Sequence, residues 1–282
     1  MMYGHTLNDS QSSHMQKDQP NKFPVLKFVP MDSVEVCLHE ILAFSSFVES
    51  RKYSEVSSTW HKACRSGHTW RTIDVVGYET DPEAILAMCP STTVKLRIDV
   101  PSREQCTKVL KQVVARPHIT SIDIFARSSS GCVFYNSAKV SQFERFKDVR
   151  YNRSPPASSP HLQDPQLDVS IHFPADRELL DIISSVGSRV RHLAFFAGIE
   201  AYDSHEFSRF LSSISKVQTL MLGNVPSELD FDGPCEVLMA ELRALNNFQA
   251  ENLNICPSNI KRLKSRVQEL DVGGVWGLLM NY

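Results

Sequence analysis

Three side chains that can bind zinc, His61, Cys64 and His68, lie within eight residues of one another. A structural zinc site needs four such ligands, usually arranged as two pairs. Cys64 has no partner in a Cys-x-x-Cys pair, and no second ligand pair stands at metal spacing. We therefore interpret this stretch as a helix surface with one buried thiol, and we predict neither a metal site nor a cofactor.

The sequence lacks the common motifs of hydrolases and nucleotide-binding enzymes. Ten histidines and many serines are present, but no Gly-x-Ser-x-Gly elbow accompanies them. The phosphate-binding motifs, a Walker loop or Gly-x-Gly-x-x-Gly, are missing as well, and Gly273-Gly274 is more typical of a turn. We predict a protein that is not an enzyme, with a catalytic site outside these motifs as a remote alternative.

Composition narrows the possible partners and compartments. The 30 Lys and Arg against 32 Asp and Glu give a formal charge of −2, so no basic field indicates nucleic acid. No apolar run approaches the ~18 residues of a membrane span, and the polar start is not a signal peptide. The seven cysteines are odd in number and scattered, which favours buried, reduced thiols and a cytoplasmic or nuclear location.

The N-terminal quarter changes from polar to helical. Residues 1–24 have little to bury, so we expect a disordered tail. From there, apolar residues recur at steps of three and four, as on one face of a helix. The first stripe contains Val34, Leu38, Ile41 and Leu42, and the second contains Tyr53, Val56, Trp60 and Ala63. These stripes predict a helical module over residues 25–70, called the helical module below.

Beyond this module the chain repeats a short motif, apolar-x-x-apolar-x-apolar. Clear copies occur at Trp70/Ile73/Val75, Ile119/Ile122/Ile124, Val190/Leu193/Phe195, Val217/Leu220/Leu222 and Val267/Leu270/Val272. Weaker copies occur at Thr93/Leu96/Ile98, Gln166/Val169/Ile171 and Ala250/Leu253/Ile255. Most steps between copies are 17 to 33 residues, and the 47-residue step from 122 to 169 predicts one degenerate or looped copy inside it. Periods of about 20–29 residues built from a strand and a helix are typical of leucine-rich repeats.

The segments between the copies have helical patterns with capping residues. Ser102 stands three residues before Gln105, and Asp203 three before Glu206, as at helix N-termini. We predict an α/β fold over residues 71–282, an irregular solenoid with parallel strands and helices on its convex side. Segments rich in serine and proline interrupt the repeat pattern at 128–166, where we expect a loop insertion.

The spacing in the helical module resembles the F-box. F-box modules place an isoleucine-leucine pair, a valine-serine or valine-cysteine about fifteen residues later, a tryptophan four further on, and a closing tryptophan about ten beyond. Ile41, Val56, Trp60 and Trp70 keep all three spacings, and Arg71-Thr72-Ile73-Asp74 looks like the usual entry to leucine-rich repeats. The chain is thus similar to F-box/leucine-rich-repeat proteins, a resemblance that implies three helices in the helical module.

This resemblance implies a substrate-recognition adaptor of an SCF-type ubiquitin ligase. In that family the module docks on the Skp adaptor, and through it on cullin and RING subunits, while the repeats hold a target protein. The adaptor-binding residues would be Val34, Leu38, Ile41, Leu42, Val56, Trp60 and Trp70. The alternative is a leucine-rich-repeat scaffold without ligase recruitment, because the usual Leu-Pro is missing at Ser33-Val34 and the middle helix has the polar Ser50-Arg51-Lys52.

Alternation along the strands predicts the target-binding side chains. If the apolar motif residues point toward the helices, their neighbours line the concave face of the sheet. Among these neighbours we assign target binding to Arg97, Phe125, His192, Phe196 and Met221. Phe196 and Met221 are expected to form an exposed apolar anchor rimmed by His192 and Thr219, because exposed aromatic residues and methionine favour binding. A merely solvated face is the alternative.

Overall fold

The computed structural model describes residues 38, 42, 45, 47–65, 70–78, 80–127, 165–200 and 203–273. The helices in these ranges are α1 (Phe47–Tyr53), α2 (Ser58–Arg65), α3 (Pro82–Met88), α4 (Arg103–Val114), α5 (Arg177–Ser185), α6 (Ser204–Ser213), α7 (Asp232–Ala240) and α8 (Pro257–Arg266). The strands are β1 (Thr72–Asp74), β2 (Lys95–Val100), β3 (Ser121–Ala126), β4 (Leu167–Ile171), β5 (Val190–Phe195), β6 (Thr219–Leu222), β7 (Asn247–Glu251) and β8 (Glu269–Gly273). No helix among the described residues has the length and apolar character to cross a membrane.

All eight strands form one parallel sheet in chain order, β1 to β8. A single register row crosses the sheet through Ile73, Leu96, Ile122, Val169, Leu193, Leu220, Phe248 and Leu270. A helix separates most consecutive strands, so each strand–helix unit contacts its neighbours in sequence. The prediction of an α/β fold with stacked parallel strands is therefore confirmed, including the parallel pairing of β5 with β6.

The apolar core lies between the sheet and the helices. The motif residues of the first six strands are buried there together with the apolar stripes of α4, α5 and α6, and Leu270 and Val272 of β8 pack partly buried against them. A chain of phenylalanine rings fills the later units, with Phe207 5.7 Å from Phe210 and 6.0 Å from Phe231 between ring centroids. Each unit buries its apolar surface against the next, so stability depends on stacking and not on any single unit.

The predicted helix starts are confirmed at two positions. Ser102 Oγ accepts a hydrogen bond from the Gln105 amide at 3.2 Å, and Asp203 Oδ1 accepts one from the Glu206 amide at 2.8 Å. Each bond satisfies a backbone N–H that has no partner within the helix. These local side-chain bonds fix where α4 and α6 begin.

The position of the seventh strand was predicted wrongly. The predicted copy used Leu253 and Ile255, but β7 ends at Glu251, and its Phe248 and Ala250 pair with β6. Asn252 has φ of +61°, a left-handed conformation that ends an extended strand. With this correction the last two steps are 28 residues (220 to 248) and 22 residues (248 to 270).

The extra strand unit expected between 122 and 169 is also absent from the sheet. β3 pairs directly with β4, with Ile122 opposite Val169 and Ile124 opposite Ile171. The long step thus reflects added chain between two neighbouring strands and not an additional unit in the stack. The predicted 128–166 insertion lies outside the described residues except for its last two positions.

The helical module has its own small apolar cluster. Leu38 and Leu42 are helical and buried with Ala63 and Cys64, and Trp60 packs partly buried against them. The second predicted stripe is interrupted, because residues 54–56 form a turn and α2 begins after Ser57, whose Oγ accepts from the Trp60 amide at 3.3 Å. Val56 therefore lies in the turn and not on a helix face.

Candidate protein-binding surfaces

The sheet face opposite the helices, called the open face below, carries three register rows of side chains. The first row is Thr72, Lys95, Ser121, Asp168, His192, Thr219, Asn247 and Glu269. The second row is Asp74, Arg97, Asp123, Ser170, Ala194, Met221, Gln249 and Asp271. The third row continues through Asp99, Phe125, His172, Phe196, Gly223, Glu251 and Gly273.

All five predicted target-binding residues belong to these rows, but their exposure differs from the prediction. Phe125 is fully buried and Met221 is 3% exposed, whereas Arg97, His192 and Phe196 are partly exposed. Met221 packs with Ala194 and Phe196 in a cluster separate from the main core. Contacts within the open face thus bury two of the expected exposed anchors.

The expected rim of the Phe196–Met221 patch was also incorrect in detail. Met221 is directly opposite Ala194, so Phe196 lies one row further along and not at an equivalent position. Thr219 is buried, and its hydroxyl accepts a hydrogen bond from the Asn247 side chain at 3.3 Å. Phe196 is therefore the aromatic side chain of this patch that a partner can reach.

Three aromatic rings stack along the third row. The ring centroids of Phe125 and His172 are 4.2 Å apart, and those of His172 and Phe196 are 4.4 Å apart. The Arg97 guanidinium lies 5.4 Å from the centroid of the Phe125 ring, within range of a cation–π contact. Burial lowers the pKa of His172 to about 4, against a raising effect of Asp123 and a further lowering by Arg97. The imidazole is therefore neutral at pH 7 and stacks as an uncharged ring.

Charged residues on β1–β3 pair within the open face. Arg97 lies 2.6 Å from Asp74 and 3.4 Å from Asp123, whose other oxygen accepts from the Ser170 hydroxyl at 2.6 Å. Arg127, just past β3, donates two hydrogen bonds to the buried carboxylate of Asp99, at 2.6 and 2.9 Å. Buried carboxylates need such partners to remain ionised. This part of the face therefore carries charged side chains whose positive and negative charges are paired with one another.

Sequence reasoning missed several open-face residues. Ser170 and Arg127 follow the same alternation as the named residues, so the pattern itself could have found them. Gln249 and Glu251 were missed because β7 was placed too late in the chain. Once Asn252 is recognised as the end of β7, alternation assigns both residues to the open face.

A second surface lies on the helical module. Among the described residues only three large hydrophobic side chains are exposed, and Tyr53 (37%) and Val56 (66%) are two of them. The ring of Tyr53 lies 5.4 Å from that of the partly buried Trp60. Val56 lies in the turn that follows Tyr53, and its amide donates to the Tyr53 carbonyl at 3.1 Å. Tyr53, Val56 and Trp60 are together called the turn patch below.

The other predicted adaptor-binding residues are distributed differently. Leu38 and Leu42 are buried in the module, and Trp70 is buried in the core of the repeats. Val34 and Ile41 lie outside the described residues. Of the described residues in this set, Val56 and Trp60 are those that a partner could contact directly.

Two of the three side chains considered as zinc ligands, His61 and Cys64, are described by the structure. Cys64 is buried and free, His61 is exposed on α2, and His68 lies outside the described residues. Within the part of the chain that the structure describes, no three His, Cys, Asp or Glu side chains are grouped as metal ligands. Burial raises the pKa values of Cys106 and Cys235 to about 12, so these core thiols are protonated and unreactive.

The fold and these surfaces define an α/β protein of stacked strand–helix units with a polar open face and a small helical module. Comparison with known proteins adds no closer assignment: no family model matches the sequence, and no curated protein is significantly similar to it.

Proposed function

We propose that the chain is a substrate-recognition adaptor of an SCF-type ubiquitin ligase. The helical module docks on the Skp adaptor and thereby on the cullin and RING subunits, and the open face binds the target protein. The chain itself supplies binding and no catalysis. The turn patch is the observation that carries this proposal, because it contains Val56 and Trp60, two of the adaptor contacts that the F-box resemblance implies, and adds the exposed Tyr53 beside them.

The energetics of the turn patch favour a partner. Val56 is two-thirds exposed in a turn, so most of its apolar surface does not contribute to the packing of the monomer. Burial of apolar surface contributes about 25 cal/mol of binding free energy per Å². Covering Val56, Tyr53 and Trp60 together would therefore contribute several kcal/mol to docking. Helices of a partner that pack against this patch would also enlarge the small core formed by Leu38, Leu42, Ala63 and Cys64.

The test is recovery of the purified Skp adaptor by the full-length chain carrying Val56→Glu. We expect recovery to be lost, since a carboxylate would be buried at the contact, while the thermal unfolding of the chain stays unchanged because the position is exposed. Tyr78→Glu is the matched control: it places the same charge on an exposed aromatic position outside the module, and adaptor recovery should persist. Equal adaptor recovery by wild type and Val56→Glu would rule out docking through the turn patch.

A scaffold that binds a partner without recruiting a ligase is the second candidate. Ser50 favours it, because its hydroxyl is buried in α1 and makes no hydrogen bond within the described residues, which weakens the packing of the module. The same experiment separates the two candidates, since a scaffold would not recover the adaptor even as wild type. An SCF adaptor would act in the cytoplasm or the nucleus.

A further inference from the structure

A cleft of about 650 Å³ lies at the end of the stack and is called the end cleft below. The turns after β6 and β7 and the last residues of β8 line it, with buried Val225 and Leu253, partly buried Val272, and the exposed side chains of Asn224, Asn252 and Asn254. Among the described lining residues, Glu228 alone has an ionisable side chain. The end cleft therefore combines apolar surface with uncharged hydrogen-bonding groups.

The outer side of β8 carries further apolar surface. Leu270 and Val272 pack against the main core but are only partly buried. A second cavity, of about 440 Å³, borders Phe248, Val267 and Leu270. β8 pairs with β7 on one side, and no described strand or helix follows it. The end of the stack thus has apolar surface that the described residues leave uncovered.

The residues that follow β8 in the sequence are mostly apolar. Residues 274–282 lie outside the described residues and read Gly-Val-Trp-Gly-Leu-Leu-Met-Asn-Tyr, without a charged side chain. Large exposed apolar surfaces are rare on folded proteins and usually mark a contact. Since Gly273 lines the end cleft, this apolar segment is joined directly to the uncovered surface.

The register of β7 and β8 shows how the segment can enter the cleft. Both strands end in the same register row, so Asn252 and Leu253 follow β7 as Gly274 and Val275 follow β8. Asn252 has φ of +61°, and glycine adopts this left-handed conformation without strain. Leu253 is buried two residues past β7, and Val275 is apolar at the same distance past β8. The turn after β7 can therefore be repeated after β8.

We propose that the 274–282 segment is the occupant of the end cleft and covers the end of the stack. Val275 packs on Leu253, and Trp276 enters the cleft against Val225 and Val272. A buried tryptophan removes roughly 200 Å² from water, so this one side chain supplies most of the apolar contact. The contact is independent of adaptor docking, since none of its residues belongs to the turn patch.

The amide side chains of the cleft suit an indole ring. Asn252 Nδ2 donates to Asn224 Oδ1 at 2.9 Å, which leaves Asn252 Oδ1 without a donor among the described residues. The indole N–H of tryptophan is a donor only, and it needs an acceptor when the ring is buried. The end cleft thus offers Trp276 an acceptor as well as apolar contact.

The charges of β8 disfavour a second copy of the chain as the occupant. Glu269 and Asp271 are exposed on β8. Two copies joined through their β8 edges would bring these carboxylates close together, and like charges on neighbouring strands are destabilising. The 274–282 segment brings no charge to the same surface.

The first test uses the full-length chain with methyl-labelled leucine and valine. Signals of Val275 and Leu253 are assigned by their loss in single substitutions, and nuclear Overhauser effects are measured in uniform and in mixed-label samples. We expect an effect between the Val275 and Leu253 methyl groups of one molecule. Absence of this effect overturns the proposal. An effect that occurs only between differently labelled copies also overturns it, because a second copy is then the occupant.

The second test compares two aromatic-to-serine substitutions in the same segment. Trp276→Ser should speed hydrogen exchange of the β8 amides that bond to β7 about tenfold, since the end of the stack loses part of its cover. Tyr282→Ser is the matched control and should leave these rates nearly unchanged. The amides of β3, far along the sheet, should exchange equally in all three proteins. Equal acceleration of β8 exchange by both variants, or by neither, overturns the assignment of Trp276 to the cleft.

Discussion

At the residue scale, His172 is a titratable side chain that packs in the open face as an uncharged ring. Its ring lies between those of Phe125 and Phe196, and burial is the largest cause of its lowered pKa. Asp123 opposes that shift, but not enough to keep the imidazole charged at neutral pH. The stack therefore behaves as three uncharged rings, and its charge state changes only in acid.

The first prediction concerns acid stability. The unfolded chain binds a proton at His172 near pH 6.5, whereas the folded chain does so only near pH 4. Between these values the unfolded state holds more protons, so the free energy of unfolding falls as the pH is lowered, by roughly 3 kcal/mol from this group alone. Above pH 6.5 the contribution of His172 to the free energy of unfolding is fully present.

Urea unfolding of wild type and His172→Phe as a function of pH measures this effect. Phenylalanine keeps the stack but cannot take up a proton, so the variant should lose less stability between pH 6.5 and 4. All other titrating groups are common to both proteins and cancel in the difference. Two stability curves that fall in parallel would show that His172 does not carry the charge penalty.

At the element scale, the turns after the strands join successive units. The Ala175 amide donates to the Gly198 carbonyl at 2.9 Å, and the Ile199 amide donates to the Asn224 carbonyl at 3.0 Å. The parallel ladder thus continues past the ends of β4, β5 and β6 into the turns. Gly198 permits this because its φ is +91° and a Cβ there would lie 2.0 Å from the Asn224 carbonyl oxygen.

The second prediction compares two glycines of similar backbone conformation. Gly198→Ala should destabilise the fold by about 3 kcal/mol or more, because it adds a clash with backbone to the strain of a left-handed residue. Gly77 has φ of +83° but open space around it, so Gly77→Ala should cost only about 1 kcal/mol. Chemical denaturation of both variants measures the difference, and similar losses would mean that the contact with Asn224 relaxes readily.

At the scale of the whole molecule, burial depends on position in the stack. The motif residues of the inner strands, such as Leu193 and Leu220, are fully buried, whereas Leu270 and Val272 of β8 are only partly buried. An inner strand has a neighbouring unit on both sides, and β8 pairs with β7 on one side alone within the described residues. The end of a stack therefore gains less from each apolar residue.

The third prediction uses the same substitution at two equivalent register positions. Leu220→Ala should lower the free energy of unfolding by about 3 kcal/mol, because it leaves a cavity in the middle of the core. Leu270→Ala should cost about 1 kcal/mol, since part of the side chain is already solvated. Equal costs in urea titrations would indicate that β8 is buried as deeply as the inner strands.

Much of this architecture is readable from the sequence because it depends on local pattern. Alternation places Leu96 and Ile98, or Leu220 and Leu222, on one side of a strand, and the step between copies reveals parallel units of similar length. Ser102 and Asp203 indicate helix starts because an N-cap acts within three residues of itself. The same alternation assigned Arg97, Phe125, His192, Phe196 and Met221 to one face.

Tertiary structure decided the features that depend on neighbours distant in sequence. Asn252 ends β7 before Leu253. The sequence contains two apolar pairs in succession, Phe248/Ala250 and Leu253/Ile255, and their pattern alone does not show which pair enters the sheet. Phe125 and Met221 are buried, and Met221 packs with Ala194 and Phe196 of the neighbouring strand, so alternation found their face but not their exposure. The pairing of Arg97 with Asp74 and Asp123 likewise arises only when strands 23 or more residues apart lie side by side, because register across the sheet sets which side chains meet.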